Sequence, residues 1–213
     1  MMQKVTLALI VLTLFLGVGC ETQDSTAETP EYTYNTELNH AKPYLVLGEG
    51  NIVNEQTDRA VGLWFIVSEE ANCFEEYAET AIQAVRDLYR LYERDFTSVQ
   101  LIPNDKLEYA LSYAQASYAA DGKGALGMTG SAPAKEMYWR VQAAEKPLTE
   151  QELAIAELWF SKIPDFPSKD PLSSLSYDEA ALKQYVADTL NIPVSEVIFP
   201  QVSYNDYEYD ERL

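Results

Sequence analysis

Apolar and polar positions divide the chain into blocks of different period. Residues 61–67 (VGLWFIV) are apolar without interruption, as in a strand covered on both faces. A shorter run, YLVL at 44–47, precedes them, and Gly48, Gly50 and Asn51 between the two are turn residues. From 74 to 94 the period changes. Phe74, Tyr77, Ala78, Ala81, Ile82, Val85, Leu88, Tyr89 and Tyr92 recur at three–four spacing, which predicts an amphipathic helix. Asn72 and Glu75 have the spacing of a capping box, with acids at the start of the helix and Arg86, Arg90 and Arg94 at its end, in the order the helix dipole favours. Residues 98–102 read as a strand ended by Pro103 and Asn104. Strand, helix and strand in so short a stretch predict a right-handed crossover between parallel neighbours.

Residues 107–118 carry two signals. Leu107, Tyr109, Leu111 and Tyr113 alternate with smaller or polar residues, which favours a strand, while the alanines favour a helix; the strand is taken. With the alternating block 138–143 it predicts a hairpin closed by a long Gly-rich loop. Thr149 and Glu152 form a capping box ahead of a helix over 149–162, stopped by Pro164. Ser176 and Glu179 repeat the device for a helix over 177–190, stopped by Asn191 and Pro193. Residues 197–202 are expected to be a last strand. The whole predicts an α/β or α+β fold: one mixed sheet with about three amphipathic helices packed on it.

The ends differ from this body. Residues 21–43 are poor in large apolar side chains and are expected to act as a tether, with Tyr32, Tyr34 and Leu38 docking on the domain where it ends. Residues 203–213 are acidic and Tyr-rich and are expected to be loose. The globular domain is thus placed at 44–202.

The first residues carry an address. Lys4 sits in a short positive head, residues 5–16 are uncharged, and Gly17, Val18 and Gly19 lead to Cys20. Charged head, apolar core and small-residue end make a secretory signal. The core is too short to cross a bilayer, which takes about 20 apolar residues. With Cys20 directly after Gly19, residues 1–20 resemble the bacterial lipoprotein signal. That resemblance implies cleavage between Gly19 and Cys20, a diacylglycerol on the Cys20 sulfur and an acyl chain such as palmitate on the new amine. Gly17 stands where that class usually has Leu, with Leu16 one place earlier. Glu21 in place of Asp implies the outer membrane, facing the periplasm.

Cleavage would leave 194 residues, with 14 basic and 34 acidic, a net charge near −20. Such a surface repels nucleic acid and anionic lipid headgroups, and nucleic acid is excluded as a partner. With Cys20 lipidated, Cys73 has no partner for a disulfide, and a single His besides cannot complete a thiolate metal site. No cofactor and no metal are expected.

Candidate chemistry is thin. Residues 121–130, DGKGALGMTG, hold four glycines, but the order of Lys and Gly is not that of a phosphate-binding loop, and a mobile hairpin loop is the simpler reading. Cys73, near a helix start, is read as a core residue, since Glu75 and Glu76 oppose a thiolate and the only His, His40, falls in the tether. Glu69 and Glu70 after the apolar strand are read as a polar turn, and the tail acids lack a calcium loop. Tyr109, Tyr113 and Tyr118, beside Asp121, Gly122, Lys123 and Gly124, are the expected partner-binding surface if their rings are exposed together. Residues 80–84, residues 118–127 (YAADGKGALG), Trp139 and Trp159 resemble an uncharacterised domain of bacterial and phage proteins, which implies a stable fold and no chemistry. The expected function is a lipid-anchored envelope protein that binds another envelope component and catalyses nothing; the alternative is an envelope hydrolase using carboxylates.

Overall fold

The computed structural model describes residues 37–54, 59–107, 110–124, 137–168 and 176–213. In chain order the elements are β1 (Leu45–Asn54), β2 (Arg59–Val67), α1 (Phe74–Tyr92), β3 (Phe96–Leu101), β4 (Ala114–Ala119), β5 (Trp139–Ala144), α2 (Glu150–Lys162), α3 (Glu179–Leu190) and β6 (Tyr204–Asp206). The six strands form one sheet in sequence order. Only β2 and β3 run parallel, joined through α1; the other neighbours are antiparallel. This is an α+β fold with a mixed sheet and three helices.

The core follows from the two periods. Along β3, Thr97, Val99 and Leu101 are buried, while Phe96, Ser98 and Gln100 are half-buried. Val99 lies between Trp64 and Ala116 in register, and Leu101 between Ile66 and Ala114, so one face is continuous and apolar. Helix α1 packs across β3, β4 and β5 with Tyr77, Ala78, Ala81, Ile82, Ala84, Val85 and Leu88 buried. Each fully buried Ile, Val or Leu contributes about 1.5–3 kcal/mol, and the alanines let helix and sheet approach closely. Helices α2 and α3 pack on each other around a second cluster of Ile155, Trp159, Leu182, Val186, Ala187 and Val197.

Gly62 has a specific task. The Trp64 ring lies over it, and a Cβ at position 62 would stand 1.9 Å from Trp64 Cη2. The indole is buried and stacked on Tyr92, with ring centroids 5.6 Å apart, so it cannot swing away freely. Gly62→Ala is expected to cost about 3 kcal/mol through overpacking, read as a lower urea midpoint. An unchanged midpoint would show that the indole finds another seat.

Several expectations are corrected. Gly48 to Asn51 do not turn the chain: β1 continues through them, with a register shift between Val46 and Gly48, because pairing with the apolar β2 outweighs turn preference. Among the described residues of 107–118 only the end is strand. Leu107 closes a 3-10 turn (Asp105–Leu107), and the Ala110 and Leu111 N–H groups bond back to its carbonyl. Helix α1 starts one residue later than the Asn72 box requires. Cys73 is its N-cap without a side-chain bond, and the Asn72 N–H donates to Glu76 Oε2 at 2.9 Å. Asp178, not Ser176, caps α3, its carboxylate accepting the Ala181 N–H at 3.1 Å. The box on α2 forms as expected: the Glu152 N–H reaches Thr149 Oγ1 at 3.2 Å and the Thr149 N–H reaches Glu152 Oε2 at 2.8 Å.

The largest correction concerns the ends. Residues 197–202 form no strand; the last strand is Tyr204–Asp206, on the outer edge of β5. Residues 203–213 are not loose. Tyr207 and Leu213 pack on the core, Tyr209 is 5% exposed, and the Trp139 Nε1–H donates to the Glu211 carbonyl. At the other end, Leu38 packs on the core as expected, but His40 and Lys42, placed in the tether, bond to α1.

Candidate functional site

Three places in the fold hold polar or open surface that could carry function. The first is centred on Glu79, which α1 turns into the interior beside Thr80; it is 2% exposed. A buried carboxylate is costly unless every lone pair is used. Here Oε1 accepts the Tyr207 hydroxyl at 2.8 Å and the His40 Nδ1–H at 2.9 Å, and Oε2 accepts the His40 backbone N–H at 2.5 Å. Beside it the Lys42 N–H donates to Thr80 Oγ1 at 2.9 Å, and Lys42 Nζ stands 2.9 Å from Glu76. The carboxylate therefore holds an N-terminal segment and a C-terminal segment on one helix. Both oxygens are occupied, so the group is poorly placed to act as a general acid or base.

Burial first, then the bond to Glu79, raises the Tyr207 phenol, which keeps its proton to donate. The bond to Glu79, and next its charge, raises His40 above the ordinary 6.5. A folded pKa above the unfolded one gives stability that is complete below the unfolded value and is lost as pH rises through the folded value. His40 is the only histidine, so its ring protons can be followed alone by NMR. The expected midpoint lies above 6.5 in the wild type and moves towards 6.5 in Glu79→Gln. A wild-type midpoint at or below 6.5 would contradict the contact.

The second place is the start of the Gly-rich loop. Arg59 is buried and grips Asp121 with two nitrogens, 2.5 Å to Oδ2 and 3.1 Å to Oδ1, while its Nη2 also donates to the Asp95 carbonyl at 3.2 Å. Burial pushes the Asp121 carboxyl up, but Arg59 and the Lys123 N–H together outweigh it and hold it below the usual aspartate range. Gly122 has φ +68 and Gly124 φ +65, and a Cβ on Gly122 would meet the Tyr138 ring at 3.0 Å. Asp121, Gly122, Lys123 and Gly124 thus make a turn whose polar atoms serve the fold. Tyr113 and Tyr118 are buried, correcting the expected exposed tyrosine surface, and Tyr109 lies outside the described residues. Tyr113 stacks on Tyr77, and Tyr118 meets Tyr89 and Trp139. Cys73 is half-buried, and Glu69 and Glu70 are exposed in the turn after β2. Gly19 and Cys20 lie outside the described residues.

The third place went unread in the sequence. Two open clefts flank Ile198 and Phe199, which line both. One, about 440 Å³, lies against Trp159, Phe160, Ile163, Tyr177, Glu179 and Lys183. The other, about 500 Å³, lies against Thr149, Glu152, Ile155, Glu196, Pro200 and Gln201. Ile198 is 67% exposed between them. The apolar run 197–202 was the signal; its alternation resembles a strand, yet it follows Pro193 and contains Pro200, which favour an irregular segment laid over the two helices.

Among the described residues no helix is long and apolar enough to cross a membrane, and no three His, Cys, Asp or Glu side chains are grouped to hold a metal ion. Residues 39–202 match a family described as a domain of unknown function, DUF4875. A crystal structure described as a DUF487 family protein from Desulfovibrio piger shares the fold at TM-score 0.61 and 25% identity, covering 80% of this chain and 97% of that one. No curated protein shows a significant match.

Proposed function

Since the chain belongs to the DUF4875 family, whose description carries no activity, we propose a function from its own residues: a bacterial envelope lipoprotein, anchored through Cys20, whose domain binds another envelope component without catalysing a reaction. The anchor rests on one observation, Cys20 placed directly after an apolar run and the small residues Gly17, Val18 and Gly19. Two or more acyl chains would hold it stably, where a single chain binds only marginally. Binding rests on the paired clefts at Ile198 and Phe199, the open apolar relief of α2 and α3. A hydrolase using carboxylates is the weaker reading, because Glu79, the buried carboxylate among the described residues, already has both oxygens engaged.

The test is the intact mass of the protein purified from membranes, beside Cys20→Ser. The expected wild-type mass is that of residues 20–213 plus glyceryl and acyl groups, which the variant lacks. An unmodified chain in the soluble fraction would overturn the anchor and reopen a secreted enzyme or effector.

A further inference from the structure

The clefts beside Ile198 and Phe199 carry two features that together define an occupant. Their floors are apolar and aromatic: Trp159, Phe160 and Ile163 on one side, Ile155 and Pro200 on the other, with Ile198 and Phe199 as the shared ridge. Their polar lining carries a net negative charge, which falls on the second cleft, since Glu179 and Lys183 balance in the first. Among the described lining residues, Glu152, Glu179 and Glu196 stand against one cation, Lys183. The Glu152 charge is fixed in place: the Thr149 N–H, and then its hydroxyl, hold that carboxyl below the usual glutamate range, so it stays ionised at neutral pH. The excess of negative charge agrees with the whole chain, whose net charge is −19.

A small ligand would fill one cleft and leave the ridge bare. A chain segment with two apolar anchors would straddle Ile198 and Phe199 and bury them, and basic side chains beside the anchors would meet the rim. Amphipathic segments dock in grooves in this way, with apolar anchors for affinity and charge for orientation. Deepening the binding reading above, on which it rests, we infer that the two clefts form one docking groove for a basic amphipathic segment of a partner protein.

The test uses the full-length chain in detergent and a fluorescein-labelled synthetic peptide with lysines on one helical face and leucine and phenylalanine on the other. Anisotropy is expected to show binding that weakens with added salt, as a charged rim requires. Ile198→Ser, and Glu179→Gln combined with Glu196→Gln, are each expected to weaken it at least about tenfold. A peptide of equal charge without apolar residues should bind at least about tenfold more weakly. No binding, or equal binding by variants that melt like the wild type, would overturn the groove.

A second measurement separates failure of the groove from failure of the binding reading. A photo-crosslinking residue is placed at Ile198, or at Leu91 on α1, which is 70% exposed, in bacteria that make the lipidated chain. An adduct from 198 mapped to a basic amphipathic segment supports the groove. Adducts from 91 alone overturn the groove but keep a binding module. Adducts from neither overturn both.

Discussion

A chain ending at Val202 is expected to lose its cooperative unfolding transition. The missing residues do four things at once. Tyr204, Asn205 and Asp206 pair with β5, and the Tyr204 hydroxyl donates to the Ser112 carbonyl at 2.7 Å. The Tyr207 N–H continues the edge onto the Val141 carbonyl at 3.0 Å. Tyr209 packs edge-on against Trp139, ring centroids 4.8 Å apart, and its hydroxyl donates to Glu211. Leu213 bonds Tyr118 through both N–H and carbonyl, and Arg86 reaches Glu211 at 3.3 Å. One buried and one half-buried aromatic ring, Tyr209 and Tyr207, several hydrogen bonds and a covered sheet edge together are worth about 6 kcal/mol or more, comparable with the total stability of a small domain. Near-UV circular dichroism against temperature checks this: the expected trace is shallow, without the sigmoid of the full chain. A truncated chain melting within about 3 °C of the full one would show a tail worth only about 1 kcal/mol.

Glu79→Ala has the second largest expected effect, a loss of about 3–4 kcal/mol in urea unfolding. The substitution removes the shared acceptor of three donors, the His40 N–H and Nδ1–H and the Tyr207 hydroxyl, of which the exposed His40 ring can turn to water. Glu79→Gln keeps the shape but sets an amide N–H₂ towards donors, so its cost is expected to be smaller, about 2 kcal/mol. Tyr207→Phe removes one of the same bonds, and in the double variant with Glu79→Ala the losses should fall short of additive by about 1 kcal/mol. Strict additivity would mean that Tyr207 and Glu79 do not act on one another.

Much of this fold could be read from periodicity. The three–four stripe of α1, the apolar run of β2 and the capping box of α2 stand where local pattern puts them, because each is set by neighbours close in sequence, and β4 pairs with β5 as expected although it takes only the end of 107–118. What could not be read is set by distant neighbours. Nothing around Tyr204 marks a strand; three exposed residues become one because β5 offers an open edge. The tyrosines, with their polar tips, fit a contact surface equally well, and what makes Tyr113 and Tyr118 interior is the stacking of Tyr77 on the one and the closing of Tyr89, Trp139 and the tail over the other. Glu79 lies beside an apolar stripe in a helix whose other early acids, Glu75 and Glu76, have more access to water, so its burial had no local mark. Helix starts shifted by one or two residues because any Asn, Ser or Asp near the end offers a cap, and tertiary contacts choose among them. The candidate site was the least legible: Asp121 and Gly122 carry turn chemistry, and the groove at Ile198 is formed by segments from α2, α3 and the chain after them.

The bond from Tyr207 to Glu79 joins residues 128 apart, and that from Arg86 to Glu211 joins residues 125 apart. Time therefore enters the structure. Residues 204–213 leave the ribosome after everything they bind, so β5 keeps an open edge and Trp139 an open face until synthesis reaches them. Contacts this far apart in sequence also close slowly, since a long loop must be ordered first. For a chain that crosses a membrane N-terminus first and unfolded, as the proposed signal requires, the delay is useful: the clasp that would lock the domain threads through after every element it fastens.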